Sequence, residues 1–424
     1  MRIRDVAAPD RLITPARGAA LLVAGILVLA LNLRSAITSL PPVFPELQSA
    51  LHISAGSLAL LAAIPVLCFG VFSGVAAPLS RRYGEERVLG AALLLLAAGL
   101  LLRGLSPAAL LFPGTIVAGA AIALMNVLLP SLVKRRMPER AGLLIGLYLL
   151  MLAAGAIVAS VLAIPVFNAA GGAAHAGVAT VGSAAVRITL ALWAGPALLA
   201  ALVWLPQLRF RTLPEGAAPA AAEAGPGRRR GALAMARSAL AWQVTLFMGL
   251  QSLSYYATLS WFPTMFRDRG VSAAHAGDLL ALMNLGNAVT ALLLPVLAQR
   301  VADQRRLAAW SMAATAAGLA GAVFGPAVLA AGFIVLLGLG QGASLGLGIF
   351  FTMARAPEPV TAASLSAFAQ GVGYLVASAG PLTIGLLHDA TGGWTVPGLV
   401  LLAVCVLQLI TGWLAGRART VPAS

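Results

Sequence analysis

Charged residues are scarce in this sequence. Asp, Glu, Lys and Arg together make up 10% of its 424 residues, whereas soluble domains carry roughly 25%. Hydrophobic residues make up 60% of the chain, and the mean hydropathy is +0.95. A soluble globule of this length needs a polar surface that this composition does not provide. The composition therefore excludes an ordinary soluble protein and predicts a chain whose main solvent is lipid.

Cysteine is nearly absent. The two cysteines, Cys68 and Cys405, both lie inside apolar runs. Two isolated cysteines build neither a disulfide framework nor a metal cluster, so both are expected to be small buried hydrophobic side chains. The sequence also lacks a G-x-x-x-x-G-K-[ST] loop for ATP. We therefore predict no cofactor and no metal site.

Apolar runs long enough to cross a bilayer recur along the whole chain. A transmembrane helix needs about 20 mostly apolar residues. Short connections separate the runs except at 207–239, a Pro-, Ala- and Gly-rich stretch with a basic cluster that is typical of a flexible linker. We predict an all-α polytopic membrane protein with one six-helix half (1–206), a cytoplasmic linker (207–239) and a second six-helix half (240–424). The twelve predicted spans are Ala19–Leu40, Ser54–Leu79, Arg87–Leu105, Ala108–Val133, Ala141–Val166, Ala185–Leu205, Ala241–Phe266, Ala273–Ala298, Leu307–Phe324, Ala327–Met353, Thr361–Leu386 and Thr395–Ala415.

Basic side chains are distributed unevenly between alternate connections. When the N-terminus is placed in the cytoplasm, 23 of the 28 Lys and Arg residues fall on the inner side. Four others, Arg103, Arg187, Arg267 and Arg269, fall at the outer edge. Cytoplasmic loops carry an excess of Lys and Arg, so we predict a multi-pass membrane protein with both termini cytoplasmic. The net charge of +15 then reflects topology, and no nucleic-acid partner is expected.

The two halves share features at an offset of roughly 218 residues. Pro45 matches Pro263, and Pro138-Glu139 matches Pro357-Glu358. Because a repeat of six spans keeps its orientation, the halves are expected to be related by an axis along the membrane normal. Such parallel repeats place a substrate site near the midplane between the halves.

One glycine pattern lies inside a predicted span. Gly338, Gly342 and Gly346 recur every four residues. A phosphate-binding loop needs a strand before it and a helix after it, which this apolar run does not provide. The pattern therefore predicts close packing of neighbouring helices.

Arg34 is the one ionisable side chain that the predicted spans place well inside the membrane. A charge near the bilayer centre costs about 2.5–3.5 kcal/mol or more, so it needs a partner or a water-filled cavity. None of the 13 Asp and Glu residues lies deep in a span, which leaves Arg34 without a carboxylate partner and argues against a buried proton relay. We predict that Arg34 faces an aqueous cavity and binds an anion or a strong hydrogen-bond acceptor. The alternative is that its long side chain reaches the interface.

Other polar side chains inside the spans form a second set of candidates. Such a residue either lines a solute pathway or hydrogen-bonds to a neighbouring helix, and the sequence alone leaves both roles open. Thr38 shares the face of Arg34, whereas Asn32 points about 200° away from it around the helix. The predicted substrate-binding residues are Arg34, Asn32, Thr38, Asn126, Tyr148, Gln251, Tyr255, Asn284, Asn287, Gln341, Gln370 and Tyr374.

Several motifs together resemble those of a known family. They are Leu31-Asn32-Leu33-Arg34, Pro130–Arg136, Gly277–Met283, Gln370–Tyr374 and Gly380-Pro381. This set resembles the cyanate and 2-nitroimidazole transporter group of the major facilitator superfamily, except that Ser35 stands where the group carries Pro. The resemblance implies twelve helices, a place in the bacterial cytoplasmic (inner) membrane, and the carriage of a small anion or weak acid such as cyanate or a nitroimidazole.

The sequence therefore predicts a secondary active or facilitative transporter of a small anionic or weakly acidic solute. It is expected to work by alternating access, as a functional monomer in the lipid bilayer. The alternative is a multidrug efflux transporter for hydrophobic compounds. A membrane enzyme would need acid–base or metal-binding pairs, and no His or carboxylate cluster occurs at helical spacing, so an enzyme is not predicted.

Overall fold

The computed structural model describes residues 15–105, 108–172, 179–210 and 235–421. This part of the chain is helical and contains no β-strand. Most of the predicted linker 207–239, and the basic residues before Pro15, lie outside the described residues. The α-helices are α1 (Pro15–Thr38), α2 (Phe44–Leu51), α3 (Ala55–Tyr83), α4 (Glu85–Arg103), α5 (Leu111–Arg136), α6 (Ala141–Ala169), α7 (Ala179–Leu192), α8 (Ala194–Trp204), α9 (Ala239–Asp268), α10 (Ala273–Ala298), α11 (Arg305–Phe324), α12 (Ala330–Ala354), α13 (Pro359–Thr391) and α14 (Thr395–Ala415).

The helices form twelve membrane-crossing segments in two six-helix halves, which confirms the predicted fold class. Ten segments are long and apolar enough to cross a bilayer by length and composition alone. The other two are α4, which begins with Glu85-Glu86-Arg87, and α9, which carries Gln, Ser, Thr and Tyr along its length. Helices α7 and α8 make one span that is interrupted near Trp193, because Pro196 has no N–H to offer the carbonyl of Leu192.

Helix α1 is held tightly against its own half just before Arg34. A Cβ added at Gly155 of α6 would overlap the carbonyl group of Leu31, so only glycine allows the two backbones to approach this closely. The Asn32 amide donates hydrogen bonds to the carbonyls of Val28, at 2.8 Å, and of Pro196 in α8, at 3.2 Å. The backbone that carries Arg34 is therefore fixed by α6 and α8.

The glycine pattern in α12 packs as the sequence predicts. Cβ atoms added at Gly338 and Gly342 would overlap carbonyl groups of α10, and one added at Gly346 would lie 2.9 Å from the carbonyl oxygen of Ala291. The α10 and α12 backbones are thus in direct contact along several turns. This confirms the prediction of close helix packing.

The two halves meet at the end of the bundle where α3 and α10 begin. There, a Cβ added at Gly277 of α10 would lie 2.6 Å from the carbonyl oxygen of Ser160 in α6. Towards the opposite end of the bundle, Leu149 of α6 and Leu292 of α10 line a cavity between the halves instead of packing together. The bundle is therefore closed at one end and open towards the end at which α1 begins and α14 finishes.

The structure corrects the sequence-based view of Arg103. The sequence places it with the outer-edge arginines and leaves Arg34 as the only charge embedded in the bundle. Arg103 is in fact 2% exposed, because α4 and α5 pack closely around it at Gly99 and Gly114. The first half therefore contains a second arginine enclosed among helices.

We expect Gly155→Ala to lower the melting temperature of the detergent-solubilised protein by several degrees. The added methyl group pushes α6 away from α1, and overpacking of this kind costs about 1–3 kcal/mol. Gly146→Ala is the matched control, because nothing lies within 4 Å of a Cβ added there, on the same helix. Equal thermal shifts for the two variants would contradict the close α1–α6 contact.

Candidate functional site

A cavity of about 290 Å³ lies between the two halves. Helices α1, α5 and α6 line it from the first half, and α9, α10, α12 and α13 line it from the second. Eight of the twelve residues predicted for substrate binding lie in its wall. They are Arg34, Asn126, Tyr148, Tyr255, Asn284, Asn287, Gln370 and Tyr374.

Arg34 is partly exposed to this cavity and reaches across to the second half. Its Nη1 donates a hydrogen bond of 3.1 Å to the hydroxyl of Tyr256. Its guanidinium carbon lies 5.3 Å from the ring centroid of Tyr255 and 5.5 Å from that of Tyr256, distances at which a cation is attracted to an aromatic ring. No Asp or Glu lines the cavity, and no ion pair of Arg34 occurs within the described ranges. The guanidinium charge is therefore stabilised by rings and a hydroxyl, without a carboxylate.

Tyrosine is concentrated around Arg34. The chain has 5 Tyr residues, and all except Tyr83 line the cavity. Side-chain amides fix two of the hydroxyls: Tyr148 donates to Asn126 Oδ1 at 3.1 Å, and Tyr255 donates to Asn284 Oδ1 at 2.7 Å. Each of these hydrogen bonds uses one acceptor site of an amide oxygen and holds a tyrosine side chain in the cavity wall.

Asn287 adds an unused donor to the same wall. Its Nδ2 atom has no hydrogen-bond partner among the described residues. Buried polar groups are normally paired, and this nitrogen is itself buried in the cavity wall, so a rotation of the side chain would present it to a bound molecule. Arg34 and Asn287 thus bring donor-bearing side chains to the cavity from opposite halves.

The two other predicted residues of α1 lie outside the cavity. Asn32 is 2% exposed and bonded to α8, as its position on the far side of the helix requires. Thr38 shares the face of Arg34, but its hydroxyl donates to the carbonyl of Arg34 at 3.0 Å and is fully buried at the closed end. Both side chains therefore form their hydrogen bonds within the first half.

Gln251 and Gln341 also lie outside the cavity, between α9 and α12. Gln251 donates to the carbonyl of Gln341 at 3.3 Å. The amide of Gln341 donates to the hydroxyls of Ser254 and Thr258 at 3.3 and 3.2 Å. These two residues therefore take the interhelical role that the sequence left open.

Three polar cavity residues are absent from the predicted set: Tyr256, Thr352 and Ser366. The one signal for Tyr256 is its place beside Tyr255 in a chain with few tyrosines. Adjacent positions on a helix differ by about 100°, yet the ring centroids of both tyrosines lie within 5.5 Å of the Arg34 guanidinium carbon. Thr352 and Ser366 carry no comparable signal, since Ser or Thr occurs in most of the predicted spans.

The closed end of the cavity is sealed by contacts between the halves. Arg267 of α9 forms an ion pair of 2.8 Å with Glu46 of α2 and also donates to the carbonyl of Pro42 at 3.3 Å. Next to this pair, the rings of Phe44 and Trp261 lie 5.7 Å apart. Trp261 is itself fixed by a hydrogen bond to the second half. An ion pair and an aromatic pair thus separate the cavity from this end.

Comparison with known proteins gives a consistent picture. A model of the Major Facilitator Superfamily matches residues 21–381. The 2-nitroimidazole transporter of Escherichia coli (strain K12) is 39% identical over 400 residues, covering 94% of this chain and 96% of that protein. The cyanate transport protein CynX of the same organism is 30% identical over 386 residues, covering 91% and 94%.

A solved structure has the same architecture. A bacterial homologue of the human lysosomal transporter Spinster, in an inward-facing and unoccupied conformation, superposes with a TM-score of 0.79 and covers 97% of this chain and 100% of its own. The two sequences are 17% identical, so this likeness shows a shared fold.

The placement of Gln370 and Gln341 can be tested with a thiol reagent. We expect Gln370→Cys to react with a water-soluble maleimide at least about tenfold faster than Gln341→Cys, because thiol reactivity follows exposure. Gln370 is exposed to the cavity, whereas Gln341 is 1% exposed between helices. The native Cys68 and Cys405 are buried, so the unsubstituted protein gives the background. Equal reaction rates would contradict the cavity wall described above.

Proposed function

The chain belongs to the major facilitator superfamily of membrane transporters, and from this premise we propose that it carries a small anionic or weakly acidic solute. The observation that supports the solute class is Arg34, whose guanidinium faces the cavity with no carboxylate beside it. A charge in a low-dielectric site interacts far more strongly than in water. An anion that enters this cavity gains that interaction without displacing a protein carboxylate.

The remaining wall favours a small acceptor-bearing solute. Arg34 and Asn287 supply donors, while Leu149, Leu152 and Leu292 supply apolar surface. Binding pockets generally combine a mostly apolar lining with a few placed polar groups. The volume of about 290 Å³ suits a small molecule, and the named solutes of the two relatives, 2-nitroimidazole and cyanate, are small and carry acceptor atoms.

Multidrug efflux is the less favoured function. A hydrophobic compound gains binding free energy from apolar contact area. It loses binding free energy when a guanidinium without an ionic partner must be desolvated beside it. The small cavity and the position of Arg34 in its wall do not suit that task. A drug-susceptibility panel combined with a counterflow assay separates the two functions.

The proposed mechanism is alternating access by one chain. We propose that residues 1–206 and 240–424 rock against each other about the cavity, with 207–239 as the cytoplasmic linker. With both termini in the cytoplasm, the open end faces the cytoplasm and the Glu46–Arg267 pair closes the outer end. The whole cavity lies within one chain, so a monomer suffices.

We expect Arg34→Gln to lower the uptake efficiency for a transported anion by at least about thirtyfold, because truncating one partner of a buried charged contact costs 2–5 kcal/mol. Uptake of labelled cyanate, 2-nitroimidazole and small carboxylates into proteoliposomes gives the measurement. Arg300→Gln makes the same change at an exposed position outside the cavity and should leave uptake unchanged. Wild-type uptake by Arg34→Gln would rule out the proposed role of this residue.

The outer closure can be tested by exchanging its charges. We expect Glu46→Arg to open the closed end, because like charges then face each other, and the double variant Glu46→Arg/Arg267→Glu to close it again. In an Asn287→Cys background, labelling by a membrane-impermeant thiol reagent from the outside should rise severalfold in the single variant and return to the starting level in the double variant. Identical labelling of the two would contradict a gate at this pair.

A further inference from the structure

Arg103 is the last residue of α4 and is almost completely buried, with 2% of its surface exposed. No ion pair to Arg103 occurs within the part of the chain that the structure describes. Removing a guanidinium from water without an ionic partner costs several kcal/mol. This cost indicates that Arg103 has a structural or functional role, and the transport mechanism outlined above does not include one for it.

The contacts of Arg103 complete the end of α1. Its Nη1 donates to the carbonyl of Ala36 at 2.9 Å, and its Nε donates to the hydroxyl of Thr115 at 3.1 Å. The Leu40 N–H, which would ordinarily bond to Ala36, bonds instead to Ile37 at 3.3 Å. The Ala36 carbonyl is one of the unsatisfied groups at a helix C-terminus, and a cation there is also favoured by the helix dipole.

This contact lies two residues from Arg34 on the same helix. Arg103 therefore links the turn that follows Arg34 to α4 and α5, which form a stiff support because Gly99 and Gly114 bring their backbones together. No carboxylate among the described residues pairs with Arg103. The contact with Ala36 therefore places an uncompensated guanidinium against the helix that carries Arg34.

We propose that Arg103 is a positioning residue of the anion site: it fixes the α1 turn that follows Arg34 and supplies a second buried positive charge behind it. The proposal rests on the proposed function, because it assumes that Arg34 binds the anion. Arg103 contributes to the affinity for the anion, whereas other residues determine the rate of the conformational cycle. No contact between Arg103 and the solute is required.

The first test separates affinity from rate. Proteoliposome uptake of labelled cyanate, or of another anion that wild type transports, is measured for Arg103→Met, Arg103→Gln and Arg103→Lys. We expect the two neutral variants to raise KM about tenfold, as loss of a charge acting across a medium of intermediate dielectric predicts, with the maximal rate per folded transporter kept. Arg103→Lys should restore KM most of the way. Arg103→Gln keeps a donor for Ala36 and provides the neutral variant if Arg103→Met does not fold.

Arg269→Met is the matched control. Arg269 also donates to carbonyls at a helix end, those of Ala322 and Gly325 at the end of α11, but it lies in the other half, and within the described part of the chain none of its hydrogen bonds goes to α1. It should lower the melting temperature without changing KM. A fall in maximal rate with unchanged KM in the neutral Arg103 variants, or an equal KM for Lys and Met, would overturn the proposal.

A second test does not depend on the identity of the solute. In an Arg34→Cys background, the rates of thiol modification by an anionic and a cationic methanethiosulfonate reagent are compared. Their ratio reports the local electrostatic potential, and we expect Arg103→Gln to lower the anionic-to-cationic ratio about tenfold. An unchanged ratio would show that Arg103 is structural only. If Arg34→Gln itself transports normally, the proposed function fails instead, so the two failures are distinguishable.

Discussion

A guanidinium inside a membrane protein, without a carboxylate to neutralise it, is the constraint on which this structure depends. Arg34 keeps its charge because the rings of Tyr255 and Tyr256 and one hydroxyl lie against it and because a cavity opens beside it. Two of the amides in the cavity wall, Asn126 and Asn284, accept hydrogen bonds from tyrosine hydroxyls. The first half holds α1 through Gly155, and the second half supplies Tyr255 and Tyr256.

The two halves join equivalent helix ends through different side-chain contacts. At the open end, the end of α5 is joined to the start of α4 by ion pairs, Arg135 with Glu85 at 3.4 Å and Arg136 with Glu86 at 3.1 Å. At the equivalent place in the second half, Arg355 after α12 donates to the side chain of Gln304 before α11. The arginine contact therefore lies at the same place in both halves, but the arginines bind carboxylates in the first half and a side-chain amide in the second.

The sequence was sufficient to predict the fold and the position of Arg34 at a cavity, because hydropathy and the shortage of acidic residues can be read from the sequence without knowing which helices pack together. It was insufficient wherever the partner of a side chain decides its role. Thr38 lies on the predicted face, yet its hydroxyl bonds back to its own helix. Gln341 and Gln370 are the same residue type in neighbouring spans, and only helix packing separates the buried one from the one at the cavity. In the sequence, Arg103 looks like an interfacial arginine at the end of a span. Its burial and its contact with α1 become visible only when the helices are packed together.

The missing carboxylate also has a consequence for the energetics of a transport cycle. If the carrier binds a monovalent anion at Arg34, the loaded cavity is electrically neutral, whereas the empty cavity carries one positive charge. Moving a full elementary charge through 100 mV is worth about 2.3 kcal/mol. An inside-negative membrane potential would then act on the return of the empty carrier and not on the loaded step. Net transport of the anion, which requires the return of the empty carrier, would be voltage-dependent even with no coupled ion, whereas exchange of one anion for another would not. Clamping the potential to zero with a potassium ionophore would remove the voltage dependence of net transport.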